Sequence, residues 1–206
     1  MTPPPGADAD RIRASAERRG ILLYHYTAID NLPSILGVGA LLSRSEMQAR
    51  GITYIGHGWG RAGKDEELRD YICCGFRPNW GMLRREVAPQ AVLQLMPRLL
   101  WRAGTLFCRG NSASNEFDLA GLLESATLIA FEAMFDSPYS NFPVPYDCEA
   151  LVYRVISMRN LIRVHFQTEA HLERGRELIN GATIADVLKP TLPIRIAVTP
   201  NLYPPR

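Results

Sequence analysis

The sequence predicts an α+β domain. Its strand-like apolar runs are short and numerous, the helical stretches between them are short, and the two do not alternate as regular β-α units. With 206 residues, 47% of them hydrophobic, the chain is long and apolar enough for one domain with a real core. It shows no internal repeat and no low-complexity core.

Residues 1–10 are polar and Pro-rich and bury little; the expectation is a disordered tail through residue 19 and a single domain over 20–206. Residues 21–27 read as an apolar strand that ends in polar groups and turns at once into a short helix. Thr27 and Asp30 are both candidate N-caps, and Pro33 is tolerated only in a first turn, which sets the helix start near Asp30. His25 therefore lies beside a helix entrance, whose unpaired N–H groups suit an anionic or phosphate-bearing ligand. A strand-end histidine bonded to backbone is the simpler account of that residue alone.

Gly37-Val38-Gly39 ends the helix, residues 40–42 form a second strand, and 45–50 form one more helical turn. Residues 51–63 hold five glycines among thirteen and read as a loop over the site. Their spacing matches neither a Rossmann turn nor a P-loop. Residues 71–76 are a buried strand stopped by Arg77-Pro78; 91–95 and 105–108 are two more, with a turn or short helix at 97–102 between them. Residues 111–135 carry apolar residues at helical spacing (Leu119, Leu122 and Leu123, then Leu128, Phe131 and Phe135) and fit two helices. Three prolines make 136–145 a loop. It delivers the chain to a β-rich run at 148–155, a strand at 162–166, a helix at 169–180 closed by Gly181, and a last strand at 193–198.

No apolar run approaches the roughly 18 residues of a membrane helix, and residues 1–19 lack the apolar stretch of a signal peptide, so a cytosolic protein with no membrane partner is expected. Cys73, Cys74, Cys108 and Cys148 include an adjacent pair and no C-x-x-C spacing, which argues for reduced, buried thiols and against a metal. The net charge of +2 is too small to announce a nucleic-acid binder. The basic residues are nearly all arginine, however, with Lys64 and Lys189 the only lysines, and guanidinium groups suit phosphates and stack on exposed bases.

Tyr24-His25-Tyr26-Thr27, Ile29-Asp30-Asn31-Leu32 and Ile35-Leu36 resemble the opening of the DarT family, single-strand DNA thymidine ADP-ribosyltransferases. Gly39-Ala40-Leu41-Leu42-Ser43-Arg44, Asp70-Tyr71, Met82-Leu83 and Cys148-Glu149-Ala150-Leu151-Val152-Tyr153 follow in the family's order. The resemblance covers most of the chain after the first twenty or so residues. It implies an ADP-ribosyltransferase-like split, mostly antiparallel β-sheet core with short helices and NAD as co-substrate in the central cleft. It also implies a single-stranded DNA acceptor and a bacterial toxin role countered by a macrodomain antitoxin of the DarG type.

Residue by residue, the resemblance gives Glu149 the catalytic carboxylate. ADP-ribosyl transfer passes through an oxocarbenium-like ribose, which a carboxylate can stabilise while it manages the acceptor's proton. Arg61 becomes the arginine facing pyrophosphate and acceptor, with Arg50 and Arg69 as competing assignments. His25 would bond a ribose hydroxyl, the Tyr26-Thr27 main chain would receive the nicotinamide amide, and Tyr71 would stack on nicotinamide. The family's Asp-Tyr-Val-Pro-Phe-Tyr-Phe-like strand is here Asp70-Tyr71-Ile72-Cys73-Cys74-Gly75-Phe76, without the proline and one aromatic. That departure leaves guanine or RNA as other acceptors, the modest net charge leaves protein side chains, and a catalytically dead nucleotide-binding module is the contrasting class, against which intact His25, Arg61 and Glu149 speak.

Overall fold

The structure, a computed structural model, describes residues 8–55, 66, 68–77, 89–112, 126–137, 139–144, 147–183 and 194–199. The described elements begin with α1 (Ala9–Arg19), β1 (Leu23–Ala28), a 3-10 turn (Ile29–Asn31), α2 (Leu32–Val38), β2 (Ala40–Leu42) and α3 (Arg44–Ala49). β3 (Tyr71–Gly75), β4 (Gln90–Leu95), a 3-10 turn (Pro97–Leu99), β5 (Leu106–Cys108) and α4 (Leu128–Glu132) follow. The chain ends through β6 (Glu149–Tyr153), β7 (Val155–Ser157), a 3-10 turn (Met158–Asn160), β8 (Leu161–Phe166), α5 (Glu169–Gly181) and β9 (Ile196–Val198).

Seven strands make one sheet in the order β5-β6-β3-β1-β4-β8-β9, and β2 pairs with β7 apart from it. Every pairing is antiparallel except that of β8 with β9. β1 pairs with β4 along its whole length, from Leu23 opposite Leu95 to Ala28 opposite Gln90, and β3 pairs with β6 over five residues. Between β1 and β3 the ladder shrinks to one residue pair, Tyr24 opposite Gly75. The sheet is thus two half-sheets that meet at one point and diverge, the split expected of the fold.

The core lies on one face. Leu23, Leu93 and Leu95 pack with Cys74, Ala150 and Val152 from the other half, covered by Phe131, Met134, Ile156 and Phe166. Alternation places Ile72 and Cys74 inward on β3 and turns Tyr71 and Cys73 to the opposite face, where they meet Leu106, Cys108 and Leu151. α5 starts at Thr168, whose hydroxyl accepts from the His171 amide at 3.1 Å. It sits flush on β8 because Gly175 faces Phe166; a Cβ there would fall 2.3 Å from the ring.

Four expectations need correction. Residues 9–19 form a helix instead of a tail: Ile12, Ala16 and Arg19 lie four and three apart, share one face, and are buried. The 148–155 run is not one strand, because Arg154 adopts a left-handed conformation (φ 58°) that ends β6 and starts β7 in the second sheet. Its amide donates to the Asp70 carbonyl and its carbonyl accepts from the Ser43 amide, each at 2.7 Å, which holds that turn. Neither Thr27 nor Asp30 caps α2, since the 3-10 turn intervenes and the Ile29 amide donates to the Pro89 carbonyl at 3.0 Å. The α-helix therefore starts at Leu32 and not near Asp30. The expected loop at 51–63 and the helices at 111–135 fall mostly outside the described residues.

Candidate active site at the split of the sheet

The row of residues that crosses the split runs Tyr24, Gly75, Glu149, Cys108, on β1, β3, β6 and β5. Cross-strand partners project from the same face, so the Tyr24 and Glu149 side chains flank a position that carries no side chain. A Cβ on Gly75 would meet the Arg77 carbonyl at 3.1 Å, tighter than an ordinary contact. Glycine keeps this point of the floor open while the chain bends over it.

Glu149 is 9% exposed, at the head of β6. Its Oε2 accepts from the Ser112 amide at 2.9 Å. Burial pushes its carboxyl above the usual carboxylate range, Ser112's hydrogen bonds oppose that shift, and the nearby charge of Asp147 adds to it. No described cation forms an ion pair with it.

On β1, His25 Nδ1–H donates across the split to the Cys73 carbonyl at 2.9 Å, which in the neutral ring leaves Nε2 without a proton. The Tyr26 hydroxyl donates to the Arg77 carbonyl at 3.4 Å, a second tie between the half-sheets. The Thr27 hydroxyl accepts from Asn31 Nδ2 at 3.2 Å. The structure places His25, Tyr26 and Thr27 on β1 and Glu149 on β6, with β3 between them. Tyr71 lies farther along β3, four residues from Gly75, edge to face with Tyr153 at 5.6 Å between ring centroids. Burial, then Tyr153 and Asp70, push its hydroxyl up.

Arg61 lies outside the described residues. Of its competitors, Arg50 pairs with Glu46 at 3.1 Å and Arg69 pairs with Glu66, both on the surface. The segment that leads to Arg61 is tied down at Ile55: its amide donates to Asn31 Oδ1 at 2.8 Å and its carbonyl accepts from Asn31 Nδ2 at 3.0 Å.

Three site features escape sequence reading. Ser112 is thirty-seven residues from Glu149, and nothing in Gly110-Asn111-Ser112 marks more than a turn. Asn31 reads as part of a helix start, yet its carboxamide is spent on Ile55. Arg77 reads as a strand stop, yet its Nη2 donates to the Pro143 carbonyl at 2.5 Å and its guanidinium lies 4.9 Å from the Phe142 ring.

The cysteine thiols near the site are poor nucleophiles: burial holds Cys74 and Cys108 well up and pushes Cys148 to about 12. All four cysteines are free. Among the described residues no group of three His, Cys, Asp or Glu side chains is arranged to hold a metal, and no helix is long and apolar enough to cross a membrane.

A family model described as ssDNA thymidine ADP-ribosyltransferase, DarT, matches residues 24–203. The chain belongs to the DarT family. No curated protein matches it. Among solved structures, Thermus sp. 2.9 DarT in complex with ADP-ribosylated ssDNA superposes with a TM-score of 0.58 at 18% identity, covering 89% of this chain and 96% of that one. The same DarT in complex with NAD+ gives 0.56 at 17%, covering 89% and 97%. Thermosipho africanus DarTG in complex with ADP-ribose gives 0.58 at 17%, covering 88% of this chain and 50% of that one. At these identities the structural likeness establishes the fold, and it agrees with the split sheet.

Proposed function

We propose that this chain is an NAD-dependent transferase that moves ADP-ribose onto a thymine base of single-stranded DNA. The observation that carries this reading is Glu149, a buried carboxylate on the one row where the half-sheets join, in a chain whose family is described by that activity. Nicotinamide leaves with the electrons of its bond to the ribose C1′, a base atom attacks C1′, and that atom gives up its proton. Glu149 holds the ribose, opposes the developing positive charge and manages that proton; a carboxyl pushed up by burial is suited to the last task. His25 Nε2 accepts from a ribose hydroxyl, its ring fixed by the bond to Cys73. The main chain at Tyr26 and Thr27 receives the nicotinamide amide, and Tyr71 stacks on the nicotinamide ring. Arg61 takes the pyrophosphate and acceptor, a role its competitors, held by their own carboxylates, are less placed to fill.

The solved relatives are described in complexes with NAD+ and with ADP-ribosylated ssDNA, which supports both the donor and the acceptor class here. No metal enters the scheme. The domain begins at α1 and runs on as one unit. A bulky charged adduct on a base's pairing edge blocks replication, so the chain acts as a toxin, restrained by a macrodomain antitoxin of the DarG type that removes the adduct.

Labelled NAD incubated with homopolymeric single strands, duplex, RNA and lysate protein tests the proposal. Label on oligo-dT single strands and none on duplex is expected, because pairing covers the reacting edge. Label on oligo-dG, RNA or protein would reassign the acceptor, and no label on any would leave the catalytically dead module. Growth arrest with wild-type protein and none with Glu149→Ala at equal soluble level would support the toxin role.

A further inference from the structure

Arg19 closes α1 and is 2% exposed, although it lies before the 24–203 region that the family model matches. Its guanidinium is occupied all round. Nη1 donates to the carbonyls of Ser137 and Ser140, both at 2.7 Å, Nη2 pairs with Glu132 at 2.5 Å, Nε donates to the Ser15 hydroxyl at 3.2 Å, and the plane lies 4.2 Å from the Phe135 ring. Burying a guanidinium is costly unless every donor is met, and two of these donors go to a surface loop.

That loop ends in Glu149, and it is held as if to display something. The Ser140 hydroxyl donates to the Phe142 carbonyl at 2.6 Å, and the Val144 amide donates to the Met134 carbonyl at 2.7 Å. Between these ties Tyr139 is 87% exposed and Phe142 49%. Phe142 lies under Arg77, two residues past Gly75 on the Glu149 row, so its ring stands beside the split, and Tyr139 is three residues before it on the same loop. A ring left in water, as Tyr139 is, and a ring backed by a guanidinium, as Phe142 is, suit a partner with flat faces, which nucleic-acid bases have; stacking on them needs no base-specific hydrogen bond.

We propose that Arg19 is a positioning residue for acceptor binding: it fixes the loop so that Tyr139 and Phe142 stack on bases flanking the modified nucleotide. This rests on the single-stranded DNA reading above. It makes α1 part of the functional unit, with the acceptor side depending on it and NAD binding independent of it.

The test measures transfer to a single-stranded oligonucleotide by the full chain and three variants, with KM for oligonucleotide and for NAD determined separately. Tyr139→Ala removes an exposed ring and leaves the fold intact; its oligonucleotide KM should rise about tenfold at unchanged NAD KM. Arg19→Lys keeps a cation for Glu132 but cannot bond both loop carbonyls, and should raise oligonucleotide KM in the same direction. Combining the two should cost less than the product of the single effects, since both act on one ledge. Phe142→Tyr, which keeps a stacking ring, should behave as wild type. If Tyr139→Ala leaves oligonucleotide KM unchanged, or if Arg19→Lys raises both KM values alike with a matching loss of folded protein, the inference fails while the transferase reading stands. If the wild-type chain labels no single strand at all, that reading fails first, and oligonucleotide binding by Glu149→Gln decides the ledge: equal affinity with and without Tyr139→Ala overturns it.

Discussion

Glu149 and His165 are both titratable, both buried in the same seven-stranded sheet, and opposite in how their surroundings treat them. His165, 3% exposed on β8, has both ring nitrogens met, Nε2 by Gln94 Oε1 and Nδ1 by the Thr199 hydroxyl, each at 2.7 Å. Burial and then the Arg163 charge press its pKa down to about 4, so it stays neutral and ties β4, β8 and the end of β9 together. Among the described residues Glu149 draws its hydrogen bonds from Ser112, and burial pushes its carboxyl up. A buried group whose every polar atom is satisfied is structure; one held by a single residue, beside a gap in the floor, is prepared for a ligand.

The largest expected difference is in turnover. Glu149→Gln should lower transfer by on the order of 10³-fold with NAD affinity within a few-fold, because the charge acts at the transition state. His165→Leu should leave transfer per folded molecule unchanged, and near-normal turnover of Glu149→Gln would erase the contrast.

Stability should show the reverse. His165→Leu strands Gln94 and Thr199 and should cost about 1–3 kcal/mol in urea unfolding, whereas Glu149→Gln should be neutral or stabilising near pH 7. A destabilised Glu149→Gln protein would make the carboxylate a structural group.

pH separates the two further. The folded pKa of His165 lies below its unfolded value near 6.5, so the unfolded chain binds more protons; its stability is full above about pH 6.5 and lost as pH falls toward about 4. Glu149's folded pKa lies above its unfolded value, so its contribution is fullest below that value and falls as pH rises through the folded pKa. Thermal melts should show the Glu149→Gln advantage over wild type growing from acid to neutral pH, and the His165→Leu deficit shrinking toward acid. Parallel curves for wild type and either variant would contradict the assigned direction.

The smallest effect concerns Ser112. Ser112→Ala keeps the amide bond to Glu149 and loses the hydroxyl that helps hold the ionised form, so the acid limb of kcat/KM should move to higher pH. No movement would assign the whole hydrogen-bond effect to the amide.

Much of the fold was legible because strands and helices announce themselves locally. Strands 40–42, 71–75 and 90–95 and the helix at 169–181 fall within a residue or two of their sequence reading. The misreadings share a cause. α1 looks like tail because its four buried positions include a serine and an arginine, and this arginine is buried because partners over a hundred residues away, Glu132, Ser137 and Ser140, accept its hydrogen bonds. The 148–155 run looks like one strand because its β-rich composition continues through Arg154, where hydrogen bonds to the Asp70 carbonyl and from the Ser43 amide impose a turn that no local preference predicts.

By itself the sequence determined that short amphipathic strands and helices would build one α+β core, and that a histidine at a strand end and a glutamate at a strand head were candidates for one site. Only the tertiary structure decided that β1 and β3 touch at a single residue pair, that Gly75 leaves the gap between Tyr24 and Glu149, and that Ser112 supplies the carboxylate's hydrogen bonds. Periodicity is written in neighbouring residues, whereas register and hydrogen-bond partnership are settled between segments far apart in the chain, by which pairing buries the most apolar surface with the fewest polar atoms unmet.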